Sequence, residues 1–325
     1  MLFVVRRNTS PARETDPKKI KCPAALPWLF LFLIASGCST QPIQPVAAPN
    51  RFVNIFTRSD GRYLHFYAQN LQLTAITTTF EMNFTNMSSR AHFPLTSTLA
   101  AGETVEVFTL EPIDDQQPQH YSCINSAIIG SVDAVHDDTC IYSLPYAPGN
   151  SFRVSQGYHG RFSHRGPDEF AIDWKMPEGT EVYAAREGLV VKSKDDSNRG
   201  GPRPEFESSA NCILIEHADG TVGIYGHLQP GGNKVKTGDR VKVGDLIGLS
   251  GKTGFVNGPH LHFAVFKVRN GEERISLPVK FRTSEDAGVM LEAGQKYMAP
   301  ANDWPQARAN LFPTFGKEAK SRAGG

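Results

Sequence analysis

The sequence is poor in everything that would mark a nucleic-acid binder, a thiolate metal site or a bundle of helices. Its 34 Lys and Arg against 33 Asp and Glu leave a formal net charge of +1, so no basic field draws in nucleic acid. Only five cysteines occur, and none are spaced Cys-x-x-Cys, which removes the usual pattern of a thiolate zinc site. The longest apolar run, PWLFLFLIA at 27–35, falls short of the roughly 20 residues a membrane-spanning helix needs. No stretch of useful length repeats apolar residues at a helical period. What is plentiful points to β structure. The 29 glycines, 22 prolines and 40% hydrophobic residues suit a turn-rich chain with real cores, and the length suits about two domains.

The N-terminus reads as an export signal over residues 1–38. Arg6, Arg7, Arg13, Lys18, Lys19 and Lys21 precede the apolar run, which ends in Ser36, Gly37 and Cys38. A cysteine directly after small residues resembles the bacterial lipobox, although Ala35 stands where leucine is more usual. That resemblance implies lipidation of Cys38 and a membrane tie through an N-terminal lipid anchor. Ser39, rather than aspartate, implies by the same resemblance an outer-membrane lipoprotein facing the periplasm. Export also lets Cys123 and Cys140 be read as a candidate disulfide. Cys212 sits in an apolar CILI stretch and reads as a small buried hydrophobe.

Residues 39–50 (STQPIQPVAAPN) form a proline-rich linker. From 51 to 145, short runs rich in β-branched and aromatic residues alternate with turn signals, such as LHFYA at 64–68 and VEVFTL at 105–110. They predict a β-sandwich of immunoglobulin-like size. His65, His92, His120 and His136 are scattered there without ligand spacing and read as structural. A turn-dense boundary at 144–150 opens a second all-β domain, expected over 146–285, with strands separated by Gly-Asp and Asp-Gly turns. A polar insertion at 193–211 interrupts it, as lids and walls of sites often do. Residues 286–325 read as a partly disordered C-terminal extension.

Six of the ten histidines fall between 159 and 262. If residues 260–266 form a strand, His260 and His262 share one face while Leu261, Phe263 and Val265 face a core. Two imidazoles so placed can bind a metal together or divide labour between ligand and base. The glycine-rich run GLSGKTG at 248–254 lacks Walker spacing and a following helix, so it reads as tight turns rather than a phosphate loop. His159 and His217 match nothing and are expected at the surface. Tyr225 stands two residues from His227, where it either reaches the same cleft or serves a core.

Around the triplet stand SHRGPDEFAIDW (163–174), MPEGTEVYAAREG (176–188), IYGHL (224–228) and NGPHLHF (257–263). In identity, order and spacing these resemble the lysostaphin-type (LytM-like) peptidoglycan zinc metallopeptidases, over about residues 145–282. The resemblance implies an antiparallel β catalytic domain, one zinc ion held by His164, Asp173 and His262, and two catalytic histidines outside the metal set, His227 and His260. It implies an endopeptidase cutting peptide cross-links of bacterial peptidoglycan, D,D-endopeptidase for a Gram-negative-looking lipoprotein. The rival is a catalytically silent wall-binding or amidase-activating protein on the same fold. Asp168 also stands four residues after His164, a spacing common among relatives. Asp173 is preferred because it lies six residues before Gly179, the family's frame, and opposite the apolar alternation of Phe170, Ile172 and Trp174.

Overall fold

The computed structural model describes residues 52–302 and residue 304. The signal segment with Cys38, the linker at 39–50 and the end of the C-terminal extension lie outside them. Strands dominate; among the described residues the helical turns are two 3-10 segments, Gly166–Asp168 and Pro204–Ser209. No helix among them is long and apolar enough to cross a membrane.

The first seven strands are β1 (Val53–Ser59), β2 (Leu64–Asn70), β3 (Ile76–Thr85), β4 (Met87–Ser88), β5 (Leu95–Leu99), β6 (Thr104–Pro112) and β7 (His120–Ile129). They make a four-stranded sheet in the order β1-β2-β6-β4 and a three-stranded sheet in the order β5-β3-β7. Phe66, Phe80 and Phe108 fill the space between, with the Phe66 and Phe108 rings stacked at 4.4 Å. Alternation puts these rings on inner faces, which is why period-two runs of aromatic and β-branched residues form the sandwich.

The second half contributes β8 (Ile141–Ser143), β9 (Ser151–Gln156), β10 (Ile172–Lys175), β11 (Glu181–Tyr183), β12 (Gly188–Lys194), β13 (Gly200–Gly201), β14 (Asn211–Glu216) and β15 (Val222–Leu228). It continues with β16 (Arg240–Val241), β17 (Leu246–Leu249), β18 (Gly254–Phe255), β19 (Leu261–Val268), β20 (Arg274–Leu277), β21 (Lys280–Arg282) and β22 (Lys296–Met298). Nine of these form one sheet, β16-β12-β14-β15-β19-β10-β9-β22, with β20 paired to β19. The expected boundary at 286 is too early. β22 is hydrogen-bonded to β9, Leu291 and Ala299 join the core, and Trp304 packs on Tyr183 at 4.5 Å.

The two faces of the large sheet have different fates. Leu261, Phe263 and Val265 of β19 enter one core with Ile213, Ile215, Trp174 and Tyr225. The alternate residues Ala264, Phe266 and Val268, with Cys212, Leu214 and Ile224, pack against the sandwich core instead. Thus the sandwich covers one end of a sheet face, and the other end of that face carries His262 and Asp173. The β19–β20 turn fixes this contact. Gly271 donates its N–H to Thr79 Oγ1 at 2.8 Å, and a Cβ there would lie 2.4 Å from the Thr79 backbone nitrogen.

Two expectations change here, and one open alternative is decided. Cys123 and Cys140 are free thiols. Cys123 packs into the sandwich core and Cys140 against the core of the large sheet, so they serve different cores. Tyr225 takes its core alternative: it is fully buried and its hydroxyl accepts the Ala185 N–H. His217 is buried, not superficial, and donates Nδ1–H to the Glu187 carbonyl.

Burial pushes the His217 imidazole down to about 4, against about 6.5 in an unfolded chain. Between those values the unfolded chain binds a proton that the folded chain refuses, so stability is full above pH 6.5 and declines as pH falls toward 4. At 1.36 kcal/mol per pKa unit the contribution at stake is about 3 kcal/mol. Urea midpoints measured from pH 7 to pH 4 should fall, and His217→Gln should flatten that fall. An identical slope in the variant would refute it.

Candidate metal centre

One row across the sheet builds the site. Gln156 of β9 pairs with Asp173 of β10, Asp173 with His262 of β19, and His262 with Gly226 of β15. Directly opposite residues hold their Cβ atoms about 4.5–5.5 Å apart, which brings the Asp173 carboxylate to the His262 ring. Asp173 Oδ1 lies 2.9 Å from His262 Nδ1, and Gln156 Nε2 donates to Asp173 Oδ2 at 3.2 Å. Gly226 matters because it has no side chain: a Cβ there would stand 3.3 Å from His262.

His164 enters from the loop between β9 and β10. Its Nδ1–H donates to the Gly157 carbonyl at 2.8 Å, since a carbonyl only accepts. That leaves Nε2 with a lone pair 3.1 Å from Asp173 Oδ2, buried and without a hydrogen-bond partner. Two acceptors facing each other at that distance call for a cation between them. His164, Asp173 and His262 each offer a ligand atom, and these atoms lie within 4.8 Å of one another. Two imidazoles and one carboxylate suit zinc, and three protein ligands leave a fourth tetrahedral position open.

The electrostatics fit a cation too. Burial opposes charge on Asp173, yet the His164 and His262 contacts hold its carboxyl far below the usual range. Burial likewise opposes charge on His262, but the Asp168 and Asp173 carboxylates outweigh it and raise the ring to about 9. A buried group of carboxylates and imidazoles therefore holds net negative charge unless a proton or metal neutralises it.

His227 reaches the site through a backbone irregularity. Asn211 pairs with Leu228 but Cys212 pairs with Gly226, so His227 is the extra residue of a β-bulge. Its φ is +61°, a left-handed conformation uncommon outside glycine. Regular alternation would send His227 into the core beside Tyr225; the bulge turns it toward His262, ring centroids 5.6 Å apart. Its Nδ1–H donates to the Thr253 carbonyl at 2.8 Å. Burial first, then the neighbouring His260 and His262, hold it well below its ordinary value.

His260 shares the face of His262, as the triplet predicts, and its ring centroid lies 4.6 Å from that of His227. Its Nδ1–H donates to the Gly258 carbonyl at 2.9 Å, and its Nε2 stands 3.8 Å from Asp173 Oδ1. Both histidines thus present a lone pair at Nε2. Two pockets flank this group. One, of about 280 Å³, is lined by Asp173, His227, His260, Lys175 and Asn257. The other, of about 240 Å³, is lined by Asp168, His227, His262, Glu207 and Arg274. The 193–211 insertion supplies Glu207 and pairs β13 with β18, so it forms a wall of the cleft.

All five residues singled out in the sequence meet here. Asp168 is not in this cluster, but it is not idle either. Its Oδ1 takes a hydrogen bond from Arg274 Nη2 at 2.6 Å and stands 3.7 Å from His262 Nε2. The His-x-Gly-x-Asp spacing marks Asp168 as a rival ligand rather than as a partner of Arg274, and no local pattern marks Arg274.

Residues 168–275 match Peptidase family M23, a stretch that holds Asp173, His227, His260 and His262 and begins just after His164. The peptidoglycan DD-endopeptidase ShyC of Vibrio cholerae is 38% identical over 118 residues, 36% of this chain and 23% of that one. ShyA, a peptidoglycan DD-endopeptidase of the same organism, is 34% identical over 122 residues, 36% of this chain and 26% of that one. This chain thus spans about a quarter of the length of these relatives. The crystallised catalytic domain of lysostaphin from Staphylococcus simulans is 27% identical, covers 39% of this chain and 87% of that domain, with a TM-score of 0.28. The motifs read from the sequence and the match over residues 168–275 point to the same family, M23.

Proposed function

We propose that this protein is an exported zinc endopeptidase that hydrolyses peptide cross-links of bacterial peptidoglycan, acting as a D,D-endopeptidase and tied to the outer membrane through lipid on Cys38. The observation that carries the catalytic part is the convergence of His164, Asp173 and His262 beside two imidazoles that are free at Nε2. The substrate class rests on the M23 match together with relatives named peptidoglycan DD-endopeptidases. The export signal at residues 1–38 supports the location.

His164, Asp173 and His262 would hold one zinc ion. When bound, zinc supplies Lewis acidity and brings the pKa of water toward about 7. His227, kept neutral by burial, enters as a proton acceptor at Nε2. His260, at the more open side, is placed to steady the oxyanion that develops at the carbonyl or to return a proton to the leaving amine. The pockets on either side of His227 give the two halves of a cross-linked peptide somewhere to lie.

The test is digestion of purified Gram-negative wall with zinc-loaded protein, new peptide termini being identified by mass spectrometry. Release of free ends at direct cross-links is expected, and their absence with His260→Ala. No new ends from the intact protein would favour the silent wall-binding reading. The mass of the mature chain carries the anchor: a chain without acyl mass on Cys38 would sink that part alone.

A further inference from the structure

Imidazole has two nitrogens, and a metal ligand must present one while the other keeps its hydrogen. At His262 the structure divides them between two carboxylates. Nδ1 lies on the Asp173 side at 2.9 Å, within the ligand cluster, and Nε2 points to Asp168 Oδ1 at 3.7 Å. Asp168 is itself tightly held. Arg274 Nη2 donates to the same oxygen at 2.6 Å, from a side chain only 5% exposed whose guanidinium lies over the Phe266 ring at 5.1 Å. The Phe170 N–H donates to Ser276 Oγ at 3.0 Å, which ties the Asp168 turn to β20. The same hairpin is locked onto the sandwich by Gly271 and Thr79.

We propose that Asp168, clamped by Arg274, is a positioning residue for the metal centre: it accepts the Nε2–H of His262 and so commits Nδ1 to the ion. The inference rests on the zinc reading above. A ring swing of about half an ångström to one ångström closes the 3.7 Å gap to hydrogen-bond distance. A carboxylate in that place fixes the tautomer, restrains the ring and makes the ligating nitrogen more basic, effects that carry about 10–100-fold in metal affinity. The clamp also links the sandwich to the metal through covalent and packed structure. The Gly271 turn is held by β3, and the strand that follows presents Arg274 to Asp168. A function thereby falls to the first domain that needs no substrate contact: it holds the hairpin from which the clamp projects.

The experiment measures Zn²⁺ affinity by competition with a chelator, and the visible absorption of the Co²⁺-loaded protein, on the full folded chain. Asp168→Asn keeps the shape and removes the charge. Because Asp168→Ala alone would leave Arg274 buried without its partner, it is combined with Arg274→Met. Urea unfolding of each metal-free variant reports the structural contribution separately. Affinity should fall by about tenfold in Asp168→Asn and by up to about 100-fold in the double variant, with an altered Co²⁺ spectrum and a metal-free form that still folds cooperatively. Zn²⁺ affinity and Co²⁺ spectrum unchanged in both variants would overturn the proposal while leaving the metal centre standing. So would an affinity loss that only tracks the fraction unfolded. A wild-type chain that binds no Zn²⁺ would instead overturn the metal reading, and this proposal with it.

Discussion

Asp173→Ala should yield a folded protein that no longer retains zinc and has lost wall-cleaving activity by on the order of 10³-fold or more, beyond the 10–100-fold that outer carboxylates carry. Three contacts converge on this side chain: His262 Nδ1, His164 Nε2 and the Gln156 amide. Alanine removes the anionic ligand, and with it the charge that offsets two buried imidazoles. The chain should still fold, because Ile172 and Trp174, on the other face of β10, keep their places in the core. Metal content by mass spectrometry after dialysis, set against the urea midpoint, separates the two effects. Asp168→Asn, measured with zinc held at saturating concentration, should keep the metal, because its carboxylate stands outside the ligand cluster. Zinc retained by Asp173→Ala but lost outright from Asp168→Asn even at saturation would reverse the assignment.

That choice between two aspartates shows how much local pattern can carry. Period-two alternation places Asp173 opposite Ile172 and Trp174, and the structure keeps it there, directly across from His262. The His260–His262 pair is readable for the same reason, since residues two apart on a strand share a face. The sandwich is legible from its aromatic alternation. What escapes is whatever depends on a departure from period two or on distance along the chain. The bulge at His227 reverses its face, and no residue near it announces a left-handed φ. Arg274 and Asp168 stand 106 residues apart, joined only because β20 returns beside β19. The sequence between 286 and 298 looks weakly patterned because β22 is a short edge strand that buries little. The cysteines look pairable by spacing, yet lie in separate cores.

The bulge also shapes what loss of the two remaining histidines should do. His227→Asn and His260→Ala should each lower kcat by about 10²–10⁴-fold with zinc content unchanged, since neither belongs to the ligand cluster. Asparagine is the informative replacement at 227 because it tolerates a left-handed φ better than most residues, so the fold is kept and the base removed. His227 and His260 lie 4.6 Å apart by ring centroid, and the proposed reaction uses both. The double variant should therefore lose much less than the product of the two single losses, as groups acting as a unit do. Losses that multiply would mean the two imidazoles contribute independently of each other rather than as one coupled unit. Zinc loss in either single variant would place that histidine among the ligands and change the site from a three-residue metal centre with two free bases to something else. Measuring kcat, zinc content and urea midpoint on the same preparations distinguishes these outcomes, and full activity in both single variants would remove the proton-transfer role altogether.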